Sequence, residues 1–136
     1  MSRVVLDASV LIKLFINEEG SRKATAAVKK ADELLAPDLL WAEVGNILWK
    51  YVRRGELEAV DAHGLLTDMI QMPIQTSAIR DVADQAFQIA TQTDRTVYDC
   101  VYLATAMQHK AVLLTADQRL VNALDKHTMA KFVRGL

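Results

Sequence analysis

Short apolar runs alternate along this chain with longer segments in which apolar residues recur at helical spacing. The short runs predict buried strands at 4–6, 34–36, 74–76 and 111–114, and an edge strand at 131–133. The longer segments predict helices at 9–16, 21–33, 38–54, 56–72, 78–91, 97–108 and 116–126. Strands that alternate with helices favour a parallel sheet with helices on both faces. We therefore expect one α/β domain, with a central, mostly parallel sheet of four to five short strands.

Capping and breaking residues mark several of these boundaries. Ser21 and Asp38 are expected to cap the helices that follow them, and Gly55 follows the end of the helix at 38–54. Pro37 is expected to stop the second strand, and Pro73 to end the fourth helix.

Composition narrows the class of protein. The 136 residues are 51% apolar and 24% charged, as in a soluble globular domain. The single cysteine, Cys100, excludes an internal disulfide and suits the reducing cytoplasm. We expect no signal peptide and no membrane span, because the longest apolar runs fall far short of the roughly 18 residues a span needs. The net charge of −1 lacks the basic excess typical of nucleic-acid binders, so the positions of the acids matter more than their sum.

Four acidic residues occupy positions where a charge needs an explanation. Asp7 directly follows the first strand, and Asp117 lies three residues after Leu114. The carboxyl ends of neighbouring parallel strands meet at one edge of a sheet, where functional groups collect. Glu43 borders the apolar stripe of its helix, and Asp99 lies near the start of the helix at 97–108.

Each acid also has a local interpretation. Asp7 could cap the first helix, and Asp99 could favour its helix dipole. Asp117 could lie in the first turn of a helix capped by Thr115, and Glu43 could be partly solvated. A shared site accounts for all four acids with one cause.

Clustered carboxylates repel one another and take up protons unless a cation neutralises them. Mg²⁺ and Mn²⁺ prefer such oxygen ligands and suit phosphoryl chemistry. The sequence has no paired cysteines or histidines for softer metals, and we expect His63, His109 and His127 at the surface. Neither a dinucleotide-binding nor a P-loop motif is present.

The segments VVLDASVLIKLF, DLLWAEVGNIL, TVYDCVYLATA and LLTADQRL, in this order, resemble the PIN-domain ribonucleases, and in particular their VapC-type toxins. The resemblance covers essentially the whole chain and implies one PIN domain over residues 1–136. It implies that Asp7 and Asp99 are the principal ligands of Mg²⁺ or Mn²⁺. Glu43 and Asp117 would complete the acidic pocket, directly or through bound water.

In the same way, the resemblance implies that Ser9 and Thr115 hold the carboxylates or waters in place. Members of the family are cytoplasmic endoribonucleases that hydrolyse single-stranded or looped RNA, often a tRNA or rRNA. They act as toxins of type II toxin–antitoxin pairs, commonly form homodimers, and are blocked by a cognate antitoxin that inserts a segment near the acidic cleft. The resemblance assigns no role to Asp94.

Three alternatives stay open at this point. A haloacid-dehalogenase-like phosphatase also places an aspartate after its first strand, but needs a second one where this chain has Ser9. A response-regulator-like module needs a lysine at a later strand end, where this chain reads Thr-Ala-Asp. A PIN domain that binds RNA without cleaving it is the third.

The remaining features concern binding surfaces. Basic clusters, which we expect to be solvated faces with phosphate contact as the alternative, lie at Lys50, Arg53 and Arg54, at Arg22, Lys23, Lys29 and Lys30, and at Arg95. Trp41 and Trp49 lie eight residues apart on one helix, and we expect both to pack in the core. The alternative is a docking surface for a second subunit or an antitoxin helix.

Overall fold

Five parallel strands form the central sheet of the molecule, which is known from a computed structural model that describes residues 2–136. The strands are β1 (Arg3–Leu6), β2 (Glu33–Pro37), β3 (Ile74–Ser77), β4 (Val112–Thr115) and β5 (Val133–Gly135). Their order in the sheet is β3-β2-β1-β4-β5. In the central strand, Val5 pairs with Leu35 of β2 on one side and with Leu113 of β4 on the other.

Helices connect the strands and cover the sheet. They are α1 (Ala8–Phe15), α2 (Ser21–Lys30), α3 (Leu39–Arg53), α4 (Ala59–Ile70), α5 (Ala83–Thr93), α6 (Val97–Gln108) and α7 (Gln118–Leu124). Two 3-10 turns cover Ile79–Asp81 and Thr128–Phe132. The predicted α/β class and parallel sheet are confirmed. None of the helices in residues 2–136 is long and apolar enough to cross a membrane.

Both faces of β1 are buried, which explains its continuous apolar run. Val5 faces the larger core cluster, which includes Leu11, Leu40 and Leu103. Val4 and Leu6 face a smaller cluster with Leu114 on the opposite side of the sheet. Asp7 is the first residue after β1, and it lies at the edge of the sheet that is formed by the carboxyl ends of the strands.

Several predicted boundaries were wrong for local reasons. The second helix ends at Lys30 and not at residue 33, because Ala31 is extended and β2 begins at Glu33. Ser21 does not cap that helix; Gly20 does, in a left-handed conformation. The Ser21 hydroxyl instead accepts from the Glu18 amide and donates to the Ile16 carbonyl.

Other elements are shorter than predicted. The helix expected at 56–72 begins only at Ala59, and the one expected at 78–91 is divided into a 3-10 turn and α5. The last strand is shifted to Val133–Gly135, because a 3-10 turn occupies the residues before it. Asp38 lies at the N-cap of α3, but its Oδ1 accepts from the Ile79 amide 41 residues away.

The two tryptophans have different environments. Trp41 packs against the main core, whereas Trp49 is 53% exposed. Eight residues turn a helix by about 80° beyond two full turns, so the two side chains do not share a face. The predicted burial of Trp49 was therefore wrong.

Candidate active site

Asp7 is the most constrained of the four acids. It lies at the end of β1 and is the N-cap of α1, where Oδ1 accepts from the Val10 amide at 3.1 Å and from Ser9 Oγ at 2.5 Å. Thr115 Oγ1 donates to Oδ2. Burial raises the pKa of Asp7 to about 6, against the lowering effect of these three hydrogen bonds, and the charge of Asp99 adds to the rise. Asp7 thus caps α1, as predicted, and the same carboxylate is the one that we expect to belong to the shared site.

The two hydroxyls that hold Asp7 also join the ends of β1 and β4. Thr115 is fully buried, and its Oγ1 accepts from the Asp117 amide at 3.0 Å. Ser9 Oγ accepts from the Ala116 amide at 3.0 Å. Each hydroxyl thus donates to Asp7 and accepts from the loop after β4, which fixes that loop against the carboxylate.

Asp117 caps α7 itself. Its Oδ1 accepts from the amides of Arg119 and Leu120 at 3.0 and 3.4 Å. The interpretation that Thr115 caps this helix, with Asp117 in its first turn, was wrong. The Asp117 amide donates to Thr115 Oγ1, so Asp117 is held directly beside the edge that Asp7 shares.

Asp99 lies in the first turn of α6, which Thr96 caps through a 3.1 Å bond to the Asp99 amide. Burial raises the pKa of Asp99, and the charge of Asp117 raises it further. The Thr96 hydrogen bond and the nearby Arg95 guanidinium oppose the rise.

Glu43 approaches from α3 and is half-buried. Burial raises its pKa, the Tyr102 hydroxyl lowers it, and the charge of Asp99 raises it again. Tyr102 is a residue that sequence reasoning missed as a candidate. Its position three residues after Asp99 on a helix could have identified it, because residues at that spacing share a face.

The Tyr102 hydroxyl is buried at the centre of this acidic group. It lies near the Glu43 carboxylate without completing a hydrogen bond of standard geometry, and within residues 2–136 it has no other partner. Burial raises the pKa of this phenol, as do the charges of Glu43, Asp7 and Asp99. A buried hydroxyl that lacks a partner is uncommon and points to a role in the site.

The four acids are linked pairwise through the charge of Asp99. The charge of Asp99 raises the pKa of both Asp7 and Glu43, and the charge of Asp117 raises that of Asp99. In residues 2–136, however, no three histidine, cysteine, aspartate or glutamate side chains form a group arranged to hold an ion directly. The donor set is all oxygen, which fits a hard cation that retains part of its water shell.

The donors around Asp7 also bear on the alternative functions. Two hydroxyls and an amide bond to its carboxylate, and the ion pairs of the described residues do not include it. A phosphoacceptor aspartate of the response-regulator kind would instead be partnered by a lysine.

Two grooves flank the acids. The larger, about 710 Å³, lies between α1, α2 and the start of α7, and basic Lys13, Arg22 and Lys23 line it beside Ala116 and Gln118. It does not include the four acids, and it adjoins them only next to Asp117. The smaller groove, about 370 Å³, contains Glu43.

Other residues singled out in the sequence lie outside the site. Asp94 is the exposed, left-handed C-cap of α5 (φ 56°), which accounts for it structurally. His63 and His127 are exposed as predicted, and His109 is partly buried. The Arg53 guanidinium lies 5.4 Å from the Trp49 ring centre.

Comparisons with known proteins identify the family. Residues 4–126 match the sequence model of the family described as PIN domain. Ribonuclease VapC3 of Pyrobaculum aerophilum is 37% identical over 120 residues, which span 87% of this chain and 92% of that protein.

Two solved structures share the fold. The crystal structure of PAE2754 from Pyrobaculum aerophilum has a TM-score of 0.72 at 24% identity and covers 90% of this chain and 79% of its own. A toxin–antitoxin complex from Klebsiella pneumoniae has a TM-score of 0.65 at 17% identity, with 96% and 95% covered. The extent of the family match and the identity to VapC3 together show that the chain belongs to the PIN-domain family and, within it, to the VapC proteins.

Proposed function

We propose that this chain is a divalent-metal-dependent endoribonuclease that acts as the toxin of a type II toxin–antitoxin pair. The observation that carries the proposal is that the Thr115 hydroxyl bonds both to the Asp7 carboxylate and to the Asp117 amide, at the edge where β1 and β4 end. The charge of Asp99 raises the pKa of both Asp7 and Glu43, which supports a shared site. The likeness to a protein named as a ribonuclease supports RNA as the substrate. The likeness to a toxin–antitoxin complex supports an antitoxin as the protein partner.

The residues suit Mg²⁺ or Mn²⁺ as the cofactor. Asp7 and Asp99 would hold the ion, and Glu43 and Asp117 would contact it through water. The raised pKa values of Asp7 and Asp99 express repulsion and desolvation that a cation would relieve. When bound, such an ion supplies an acidified water and positive charge beside the phosphate.

The protein's own groups would orient the reaction. Ser9 and Thr115 keep both oxygens of Asp7 in a fixed direction. The Glu43 carboxylate, with its raised pKa, is suited to accept a proton from the attacking water. Water adds to phosphorus, the phosphodiester P–O bond breaks, and the leaving oxygen takes up a proton. The nearby Tyr102 hydroxyl lowers the pKa of Glu43 and so favours the ionised carboxylate that accepts the proton.

The proposal extends to the biological setting implied by the family. We infer that the chain works in the cytoplasm on a single-stranded or looped site, in a tRNA or an rRNA, and that it forms a homodimer. The groove beside Asp117 has a mixed lining, in which Lys13 is paired with Glu18. Its Arg22 and Lys23, which the ion pairs of the described residues do not include, offer phosphate contacts for such a substrate.

The direct test compares RNA cleavage by the purified chain with that of Asp7→Asn and Asp99→Asn. We expect cleavage of single-stranded RNA with Mg²⁺ or Mn²⁺, none with EDTA, and a loss of at least about a hundredfold in either variant. Asp68→Asn changes an exposed acid of α4 and is the matched control. Undiminished cleavage by both site variants, or turnover of a phosphomonoester in place of RNA, would overturn the proposal.

A further inference from the structure

The smaller groove lies between α3 and the first turn of α6. Its lining residues are Leu39, Ala42, Glu43, Asn46, Ile47, Lys50 and Tyr98. The groove is thus continuous with the acidic site through Glu43, and its chemistry changes along its length from acid to amide to ammonium.

Tyr98 gives the groove an aromatic wall. Its side chain is 64% exposed, although its neighbour along the chain, Asp99, is half-buried in the acidic site. The buried residues of α6 are 100–106, so the Tyr98 ring is not part of the core. An exposed ring beside a catalytic group is available to stack on a ligand.

The α3 wall supplies polar groups at regular spacing. Glu43, Asn46 and Lys50 follow one another at intervals of three and four residues and therefore share one face of the helix. Asn46 and Lys50 are exposed, and the ion pairs of the described residues do not include Lys50.

We infer that this groove binds one unpaired nucleotide of the RNA, next to the bond that is cut, with its base stacked on Tyr98. The inference rests on the proposed function and adds the feature that selects the substrate. The Asn46 amide can donate to and accept from a base edge, and the Lys50 ammonium, about two helical turns from Glu43, can contact a backbone phosphate. A base within a duplex is already stacked and cannot use the ring, so the groove selects single-stranded RNA.

The charge pattern favours a nucleotide over a protein occupant. An apolar protein helix would bury Lys50 and Asn46 without partners, which is costly. A nucleotide has a flat apolar face for Tyr98 and an anion for Lys50. The groove volume, about 370 Å³, lies within the range of small-ligand pockets.

The test measures binding of RNA by a chain that cannot cut it. In an Asp7→Asn background with Mg²⁺, Tyr98→Ala and Tyr98→Phe are titrated against a short fluorescein-labelled single-stranded oligoribonucleotide, and against the same strand paired to its complement. We expect Tyr98→Ala to weaken single-strand binding about tenfold and Tyr98→Phe to weaken it less than about twofold, because the phenyl ring also stacks. Duplex binding should be weak and unchanged.

A salt titration tests the ammonium. Lys50→Gln should lower the slope of log affinity against log salt by about 0.7, the value for one phosphate contact on a single strand. Phe87→Ala changes an equally exposed aromatic on α5, and Lys126→Gln changes an exposed lysine outside the groove. Both controls should bind as the parent does.

The outcomes separate this inference from the proposed function. Suppose that the chain without substitutions cuts RNA, while Tyr98→Ala, in the Asp7→Asn background, binds single strands as well as Asp7→Asn alone. In that case the nucleotide site at Tyr98 is overturned and the nuclease assignment stands. If Tyr98→Ala weakens self-association and leaves RNA affinity unchanged, the groove is a protein surface and the inference is overturned. A chain that neither binds nor cuts RNA overturns both.

Discussion

The Thr115 hydroxyl at the end of β4 donates a hydrogen bond to Asp7 Oδ2 at the end of β1, across 108 residues of sequence. The same oxygen accepts from the Asp117 amide. One buried hydroxyl thus orients two acids of the candidate site. It also explains why a threonine, and no purely apolar residue, ends an otherwise apolar strand.

Replacing Thr115 with valine should disturb both stability and activity. Thr115→Val keeps the shape but leaves a buried carboxylate oxygen and the Asp117 amide without their partner, which costs about 1–3 kcal/mol of unfolding free energy. The control is Thr105→Val, since Thr105 is equally buried but bonds only to the Val101 carbonyl of its own helix. Urea unfolding and RNA cleavage should both separate the two variants. Equal effects of the two substitutions would show that the Thr115 hydroxyl has no special role.

The raised pKa of Asp7 predicts a pH-dependent stability in the absence of metal. The folded pKa of about 6 lies above the ordinary 3.8, so between these values the folded chain binds more protons than the unfolded chain. The free energy of unfolding should therefore fall as the pH rises from about 4 to about 6, by at most about 3 kcal/mol from this group. Asp7→Asn cannot titrate and should remove that part of the slope, measured by urea unfolding in EDTA.

The exposed-acid variant Asp68→Asn should retain the slope of the unmodified chain. If the unfolding free energy of Asp7→Asn depends on pH as that of the unmodified chain does, folding does not raise the pKa of Asp7. Mn²⁺ affinity should weaken below about pH 6 for the same reason, because a ligand must lose its proton to bind.

Tyr102→Phe tests whether the Tyr102 hydroxyl tunes the acidity of Glu43. Without the hydroxyl, the pKa of Glu43 should rise further, because the phenol now lowers it. We expect kcat/KM for RNA to fall about tenfold and its pH dependence to shift to higher pH, while stability is unchanged or slightly higher. Tyr51→Phe is the control, since Tyr51 donates to Glu18 away from the acids. A parallel loss of stability in Tyr102→Phe, with no shift of the pH profile, would indicate a packing role only.

The parts of this fold that could be predicted are those with a strong local pattern. The apolar run at 4–6 and the acid directly after it located β1 and the sheet edge, because a strand buried on both faces has no other place for a charge. The helix at 97–108 was predicted with its observed bounds, from the long and mainly apolar segment that forms it.

What could not be predicted depends on tertiary contacts. Asp117 was expected inside a helix, but its role as a cap depends on where the loop after β4 is held by Ser9 and Thr115. The part played by Tyr102 depends on α3 bringing Glu43 against α6. Trp49 was expected in the core, but the rotation of the helix between it and Trp41 leaves it exposed.

A thermal shift with Mn²⁺ shows whether these distant acids form one divalent-ion site. At a concentration about ten times the dissociation constant, binding to the folded chain should add about 1.4 kcal/mol and raise Tm by about 3–5 °C. We expect this rise in Tm for the unmodified chain and for Asp68→Asn, and no rise for Asp99→Asn. If Mn²⁺ leaves the Tm of the unmodified chain unchanged, or raises that of Asp99→Asn equally, the acids do not form a shared ion site.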